Sequence, residues 1–293
     1  MRILYFYRGR ENYHPAWDSL RKSLSEIANV TQLEAGLEYD GEKLVRQINP
    51  EILVIGASSI RTCKLIRNLD KVKIPKVIYT IHEFIFLDDY IKFINDKQID
   101  LVMTTDLKES YLGKVHSCLV KNCFPSVDEN HFKDYGLKRK WDVYYSGLNK
   151  FRFSDYPLRV KIVRSLLQKP NIKSFVTFDF TSPLEYAKEL SQAKITAFGN
   201  SIYHALTMRM TQAWASKTLV MCDMPKVGLE AGMKPNYNFV EINEENFLEK
   251  IEYYLKNEKE RKRIIENGYV EVINHHTSDI RAKELLKLFE EII

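Results

Sequence analysis

The chain has 293 residues, 45% of them hydrophobic and 28% charged, with a formal net charge of +5. This composition excludes a disordered or low-complexity chain, and the length suits one large domain or two of about 140 residues. The apolar run before Arg8 is only five residues long, too short for a secretory core or a membrane span, so a cytoplasmic location is expected. Cys63, Cys118, Cys123 and Cys222 show no CxxC spacing and read as buried reduced thiols. The mild positive charge suits a partner carrying phosphate, such as a nucleotide or an acidic membrane surface. Basic residues are dispersed, which argues against a nucleic-acid-binding module.

Apolar runs bounded by turns alternate with 3.6-period segments along nearly the whole chain. The first half reads as strands over 2–7, 30–33, 51–57, 76–82, 100–106 and 118–124. Between them the pattern predicts helices over 14–28, 40–48, 60–69 and 86–97, with Asp88 and Asp89 at a helix start. Parallel neighbours need crossovers, so this alternation implies a doubly wound parallel sheet. Residues 125–140 are polar and aperiodic and read as a linker. The rhythm then restarts, with strands over 141–147, 174–179, 195–199, 218–223 and 239–242. A helix is predicted over 154–168, and Ser182-Pro183-Leu184-Glu185 is a capping box opening another that runs to about Gln192. A short helix follows Thr207. Two more span 244–256 and 258–275, and Thr277 caps a last, amphipathic one to Ile293.

The expected organisation is therefore two Rossmann-type parallel-sheet domains facing a central cleft, α/β in class. The N-terminal domain is placed at 1–135 and the C-terminal domain at 136–276, with 277–293 a helix returning to the first. Ligands of such sheets bind at strand C-terminal ends, where loops and helix N-termini converge. The fold alone does not choose among functions.

Several segments of the second half occur in a recognisable order: YYSG at 144–147, Arg159, SLLQ at 165–168 and EYAKELSQAKITAF at 185–198. They continue with TMRMTQAWASKTLVMCD at 207–223 and GYVEVINHHTSDIRAKELL at 268–286. Over Trp141–Leu286 the chain resembles the GT-B glycosyltransferases. It is most similar to the CgeB-like, spore-maturation group with its "glycosyl transferases group 1" C-terminal domain. The resemblance implies transfer of a sugar from a nucleotide-sugar donor, a UDP- or GDP-sugar bound as substrate, with no metal and no resident cofactor. Retention of configuration is the implied outcome.

The same resemblance implies site residues. Ser146 and Gly147 end a strand where backbone approaches the diphosphate, and Lys150 and Arg152 neutralise charge on the leaving nucleotide. Arg209 and Gln212 face the nucleotide, with Gln212 standing where the family has a glutamate that accepts ribose hydroxyls. Ser216-Lys217 stands where a Cys-Gly pair is usual. Tyr203, His204 and Thr207 lie before that helix, near the donor phosphates. In the first half, His82, beside Glu83 after a buried strand, is the expected catalytic or orienting residue, with Asp106 a weaker candidate. Arg8 and Gly9, with Arg10, Asn12 and His14 close by, suit an anion contact. The acceptor is open: glycan, lipid, protein or nucleic-acid base, with peripheral membrane contact also open. The Gln212 and Lys217 departures motivate an alternative, a GT-B-like nucleotide-binding or scaffold protein without catalysis. A nucleotide-sugar epimerase of similar architecture is a third reading.

Overall fold

The computed structural model describes residues 1–8, 15–35, 37–56, 60–80, 86–105, 108–147, 155–178 and 182–293. The chain divides into two compact units. The described residues of Met1–Glu11, Leu20–Phe124 and Arg281–Ile293 form one; those of Asn12–Ser19 and Pro125–Ile280 form the other.

In the N-terminal unit the strands are β1 (Arg2–Arg8), β2 (Asn29–Ala35), β4 (Ile52–Gly56), β6 (Lys76–Thr80), β7 (Leu101–Thr104) and β8 (Leu119–Asn122). They form one six-stranded sheet in the order β2-β1-β4-β6-β7-β8, and every pairing is parallel. Register runs Leu4↔Leu53, Ile55↔Ile78 and Ile78↔Val102. The central strands are buried on both faces, as a parallel sheet covered by crossover helices requires. Leu4, Phe6, Leu53, Ile55, Ile78 and Val102 pack with Tyr90, Phe93 and Ile94 of helix α4 (Leu87–Lys97). Asp88 and Asp89 lie in the first turn of α4 and complement its dipole, but the N-cap is Phe86, which makes no side-chain cap bond.

Helices α1 (Pro15–Ile27) and α2 (Gly41–Ile48) fill the first two crossovers. Asp40 caps α2 by accepting from the Lys43 amide at 3.1 Å. Residues 60–69 depart from the single helix expected. A four-residue α3 (Ile60–Cys63) gives way to β5 (Ile66–Arg67), which pairs with β3 (Tyr39–Asp40), and then to a 3-10 turn at Leu69–Lys71. The break has a tertiary cause, the pairing of β5 with β3. Asn68 takes a left-handed backbone (φ 57), and its side chain donates to Asp40 at 2.9 Å. A short helix α5 (Lys108–Tyr111) precedes β8.

The C-terminal unit repeats the scheme with β9 (Trp141–Ser146), β10 (Ser174–Thr177), β11 (Ala193–Ala197), β12 (Leu219–Cys222) and β13 (Val240–Glu241). The order is β10-β9-β11-β12-β13, all parallel. Its helices are α6 (Pro157–Gln168), α7 (Pro183–Ser191), α8 (Met208–Ala215), α9 (Phe247–Lys256) and α10 (Glu258–His275). Val143, Ile195, Leu219 and Met221 pack with Ile162 and Leu166 of α6 and Ile251 of α9. The capping box forms as read. The Glu185 amide donates to Ser182 Oγ at 3.2 Å, and the Ser182 amide donates to the Glu185 carboxylate at 3.1 Å.

Gly268 sits within α10 rather than at a helix start. A Cβ there would lie 2.4 Å from the ring of Trp214, whose indole N–H donates to the Asn238 carbonyl at 2.7 Å. The glycine thus lets α8 and α10 approach closely. Residues 125–140 contain no helix or strand, yet they are anchored: Val127 bridges Thr277, and buried Phe132 meets Tyr186 edge-on at 5.7 Å. Thr277 accepts from the Ile280 amide at 3.3 Å, opening the last helix, α11 (Ser278–Glu290). From Arg281 onward this helix belongs to the N-terminal unit, with Ala282, Leu285 and Phe289 buried. Among the described residues, no helix is long and apolar enough to cross a membrane.

Candidate functional site

The C-terminal ends of β9, β11 and β12 bring several polar side chains of the C-terminal unit together. Gly147 follows β9, and its amide donates to the Thr177 carbonyl at 3.2 Å, completing the ladder with β10. What crowds the glycine is a side chain. A Cβ at this position would lie 2.8 Å from a guanidinium nitrogen of Arg209 and 2.9 Å from the Tyr145 hydroxyl. Ser146, the last residue of β9, bonds through its side chain to the Tyr144 phenol, which donates to Glu189 at 3.1 Å.

Arg209 projects from α8 and lies 5.9 Å from the centre of the Phe198 ring. Its charge acts on another arginine. Arg159, on α6, is fixed by two bonds to the Gly199 carbonyl, at 3.3 Å from Nε and 3.0 Å from Nη2, and it stacks 3.9 Å over Tyr156. Gly199 permits that approach, since a Cβ there would lie 2.7 Å from the Arg159 amide nitrogen. Burial, and then the charge of Arg209, push the Arg159 pKa down to about 10, so it remains a cation at neutral pH. The same two arginines oppose the upward push that burial gives the Tyr145 phenol. Among the described residues, no carboxylate forms an ion pair with Arg159 or Arg209. Asp223 acts on the charge of Arg159 without pairing directly with it, so among the described residues the two partly buried like charges are only partly compensated, which favours an anion from solution.

Around this pair the loop from β11 to α8 adds further groups. Asn200 donates through its backbone to Asp223 Oδ1 at 2.6 Å and through its side chain to the Asp223 carbonyl at 2.7 Å. His204 Nδ1 lies 3.2 Å from Asp223 Oδ2. Thr207 occupies the N-cap of α8, but its hydroxyl makes no cap bond; among the described residues neither its Oγ1 nor the Oγ of buried Ser201 has a hydrogen-bond partner. An unpaired buried hydroxyl is costly and therefore informative. Gln212 is buried, and its side-chain oxygen accepts from the Tyr186 hydroxyl at 3.1 Å. That oxygen has a second lone pair available for a ribose hydroxyl.

Of the residues singled out from the sequence, Ser146, Gly147, His204, Thr207, Arg209 and Gln212 all lie at this end of the C-terminal sheet. Lys150, Arg152, His82, Gly9, Glu83 and Asp106 lie outside the described residues, as do Arg10, Asn12 and His14. Arg8 closes β1, with only its backbone described. Sequence reasoning placed Arg159 in the matching segments but gave it no role, and it passed over Asp223 and Asn200. The signal for Arg159 was a lone arginine on the buried side of a helix, with its partner fifty residues on. Among the described residues, no group of three or more His, Cys, Asp or Glu could hold a metal ion.

Residues 162–287 match the family model described as "Glycosyl transferase-like". No curated protein matches the chain by sequence. Solved structures do match over nearly its whole length. Sucrose-phosphate synthase from Thermosynechococcus elongatus aligns with a TM-score of 0.74 at 9% identity, covering 99% of this chain and 98% of that one. A glycosyltransferase from Rickettsia africae gives 0.70 at 11%, covering 99% and 98%. Anabaena HepE, in complex with UDP-glucose, gives 0.71 at 9%, covering 99% and 100%. At these identities the likeness is one of fold. Residues 162–287 thus match a glycosyl transferase-like model within a chain that has the GT-B fold.

Proposed function

We propose that this protein is a glycosyltransferase that takes a sugar from a nucleotide-sugar donor, a UDP-sugar in the first instance, and passes it to an acceptor hydroxyl or amine. The observation that carries this reading is the pair of guanidiniums, Arg159 and Arg209, with which no described carboxylate pairs directly, at the glycine-flanked strand ends of the C-terminal sheet. A diphosphate supplies the missing negative charge, and its charge grows as the sugar departs, so the same cations stabilise the transition state more than the ground state. In this reading the donor domain is 136–276 and residues 1–135 serve the acceptor. Ser146, Thr207 and Gln212 contact the nucleotide, Lys150 and Arg152 join the phosphates, and His82, Arg8 and Gly9 serve the N-terminal side. The UDP-glucose complex of the fold relative HepE supports a uridine donor. No metal is required, because cations of the chain do the neutralising.

Thermal unfolding with UDP, GDP and their glucose conjugates tests the proposal. A ligand at a hundred times its Kd stabilises the folded state by about 2.7 kcal/mol, raising Tm by about 5 °C or more. No response to any nucleoside diphosphate would sink the donor site. A second reading, a nucleotide-binding protein without turnover, is favoured by Gln212, whose neutral amide is already engaged by Tyr186. A Tm shift with UDP, combined with no release of UDP from UDP-glucose, would select it.

A further inference from the structure

His204 carries an arrangement that holding the donor does not by itself require. It lies in the loop between β11 and α8 with a left-handed backbone (φ 53). Few side chains adopt that conformation, and such strain concentrates at working sites. The turn is fixed from both directions: the His204 amide donates to the Ser201 carbonyl at 2.7 Å, and the Lys226 amide donates to the His204 carbonyl at 2.9 Å. Nδ1 faces Oδ2 of Asp223 at 3.2 Å, while the other oxygen of that carboxylate is held by the Asn200 amide. The Asp223 side chain is 19% exposed and that of His204 is 51% exposed, so a pinned acid holds a ring that reaches outward. A hydrogen bond at one ring nitrogen sets the tautomer and aims the other, so Nε2 points away from the carboxylate. Asp223 is also close enough to Arg159 to act on its charge, which puts the imidazole and the arginine pair in one neighbourhood.

On the donor reading above, we propose that His204 is a catalytic residue whose Nε2 gives a proton to the diphosphate oxygen leaving the sugar, with Asp223 as its positioning residue. The bond between the anomeric carbon and that oxygen breaks, and the electron pair stays on the oxygen. The imidazolium proton joins it there. The acceptor supplies the new bond to the anomeric carbon and loses its own proton to solvent, from which the imidazole is recharged. Asp223 holds the ring at Nδ1, and the proposal sets the bound diphosphate at Nε2, so the ring carries its proton between two acceptors once the diphosphate is bound.

Calorimetric titration of the whole protein with UDP, in buffers of different ionisation enthalpy at about pH 7.5, reads that proton directly. The wild type should take up a substantial fraction of a proton per UDP bound. His204→Asn keeps a side chain that tolerates the left-handed backbone; it should still bind UDP, with the uptake gone. Asp223→Asn, which loses the orienting charge, should reduce uptake and kcat together. With UDP-glucose as donor, His204→Asn should lower kcat by about 10²- to 10⁴-fold while KM moves only a few-fold. Equal uptake in wild type and His204→Asn, or none in the wild type between about pH 6 and 8.5, overturns the assignment. UDP bound without uptake removes His204 alone; failure of UDP to bind at all removes the donor reading and His204 with it.

Discussion

At the ends of the central strands β6 and β7 of the N-terminal sheet the described side chains are neutral and bonded within the protein. Thr80 donates to the Met103 carbonyl at 3.2 Å, Thr104 and Thr105 are buried, and Tyr79 donates to the Cys123 carbonyl at 3.5 Å. Burial pushes the Tyr79 phenol far above its ordinary pKa, so it stays uncharged. The corresponding ends of the C-terminal sheet carry Arg159, Arg209, Asp223 and His204, and neither arginine pairs directly with a described carboxylate. Both sheets are parallel and doubly wound, and both rest on comparable apolar cores. The difference is one of chemistry grafted on a shared architecture. The described side chains at the ends of β6 and β7 need no ligand to satisfy them; the like-charged pair does.

Arg209→Ala tests that contrast most severely. Losing a charged hydrogen-bonding partner of a diphosphate costs about 2–3 kcal/mol, or roughly 30- to 150-fold in the Kd for UDP. Thr104→Val in the N-terminal sheet should leave that Kd unchanged. Equal effects of the two substitutions would erase the distinction between the sheets. Gly268→Ala attacks the packing behind the charged end instead. The new methyl meets the Trp214 ring and the Asn238 carbonyl at 3.0 Å, and overpacking of this kind costs about 1–3 kcal/mol. Hydrogen exchange should quicken in α8 and α10 while β1, β4 and β6 keep their protection. Gly147→Ala is gentler. Its Cβ meets the far end of the Arg209 side chain, which can swing aside, so the fold should hold while UDP affinity drops by about tenfold, near 1.4 kcal/mol. A fall in Tm with affinity intact would show that the glycine serves the fold rather than the arginine.

The elements with strong local signals were legible in the sequence. Fully apolar strands such as Ile52–Gly56 and Leu219–Cys222, and the Ser182–Glu185 capping box, have causes contained within a few residues. The long helix expected over 60–69 failed because its interruption is tertiary: Asn68 turns left-handed to reach Asp40, twenty-eight residues back. The site divides in the same way. Gly147, Arg209 and Gln212 were singled out by resemblance, but that Gly147 makes room for Arg209 is a relation between β9 and α8 that spacing does not encode. The role proposed for Arg159 was harder to read for the same reason, because a single arginine on the buried side of a helix carries no sign of the second one whose charge reaches it.

Lys217 offers the finest test, at the junction that carries α8 into β12. The resemblance puts a glycine here, and the backbone shows why: Lys217 adopts φ 50, the left-handed region. A residue with a Cβ is disfavoured there by about 1–2 kcal/mol, against which glycine gives back about 0.5–1 kcal/mol in chain entropy. The lysine recovers part of its strain through Glu266 at 3.0 Å and by lying 4.1 Å over the Tyr269 ring. The exposed ion pair contributes little. Lys217→Gly should therefore raise stability by about 0.5 kcal/mol in a denaturant titration, at unchanged UDP affinity. A loss of stability would mean that the Tyr269 contact outweighs the backbone. The lysine would then be a built part of the α8–α10 packing rather than a tolerated departure from glycine. A change in UDP affinity would instead tie this turn to the position of Arg209, extending the charged end of the C-terminal sheet down the whole of α8.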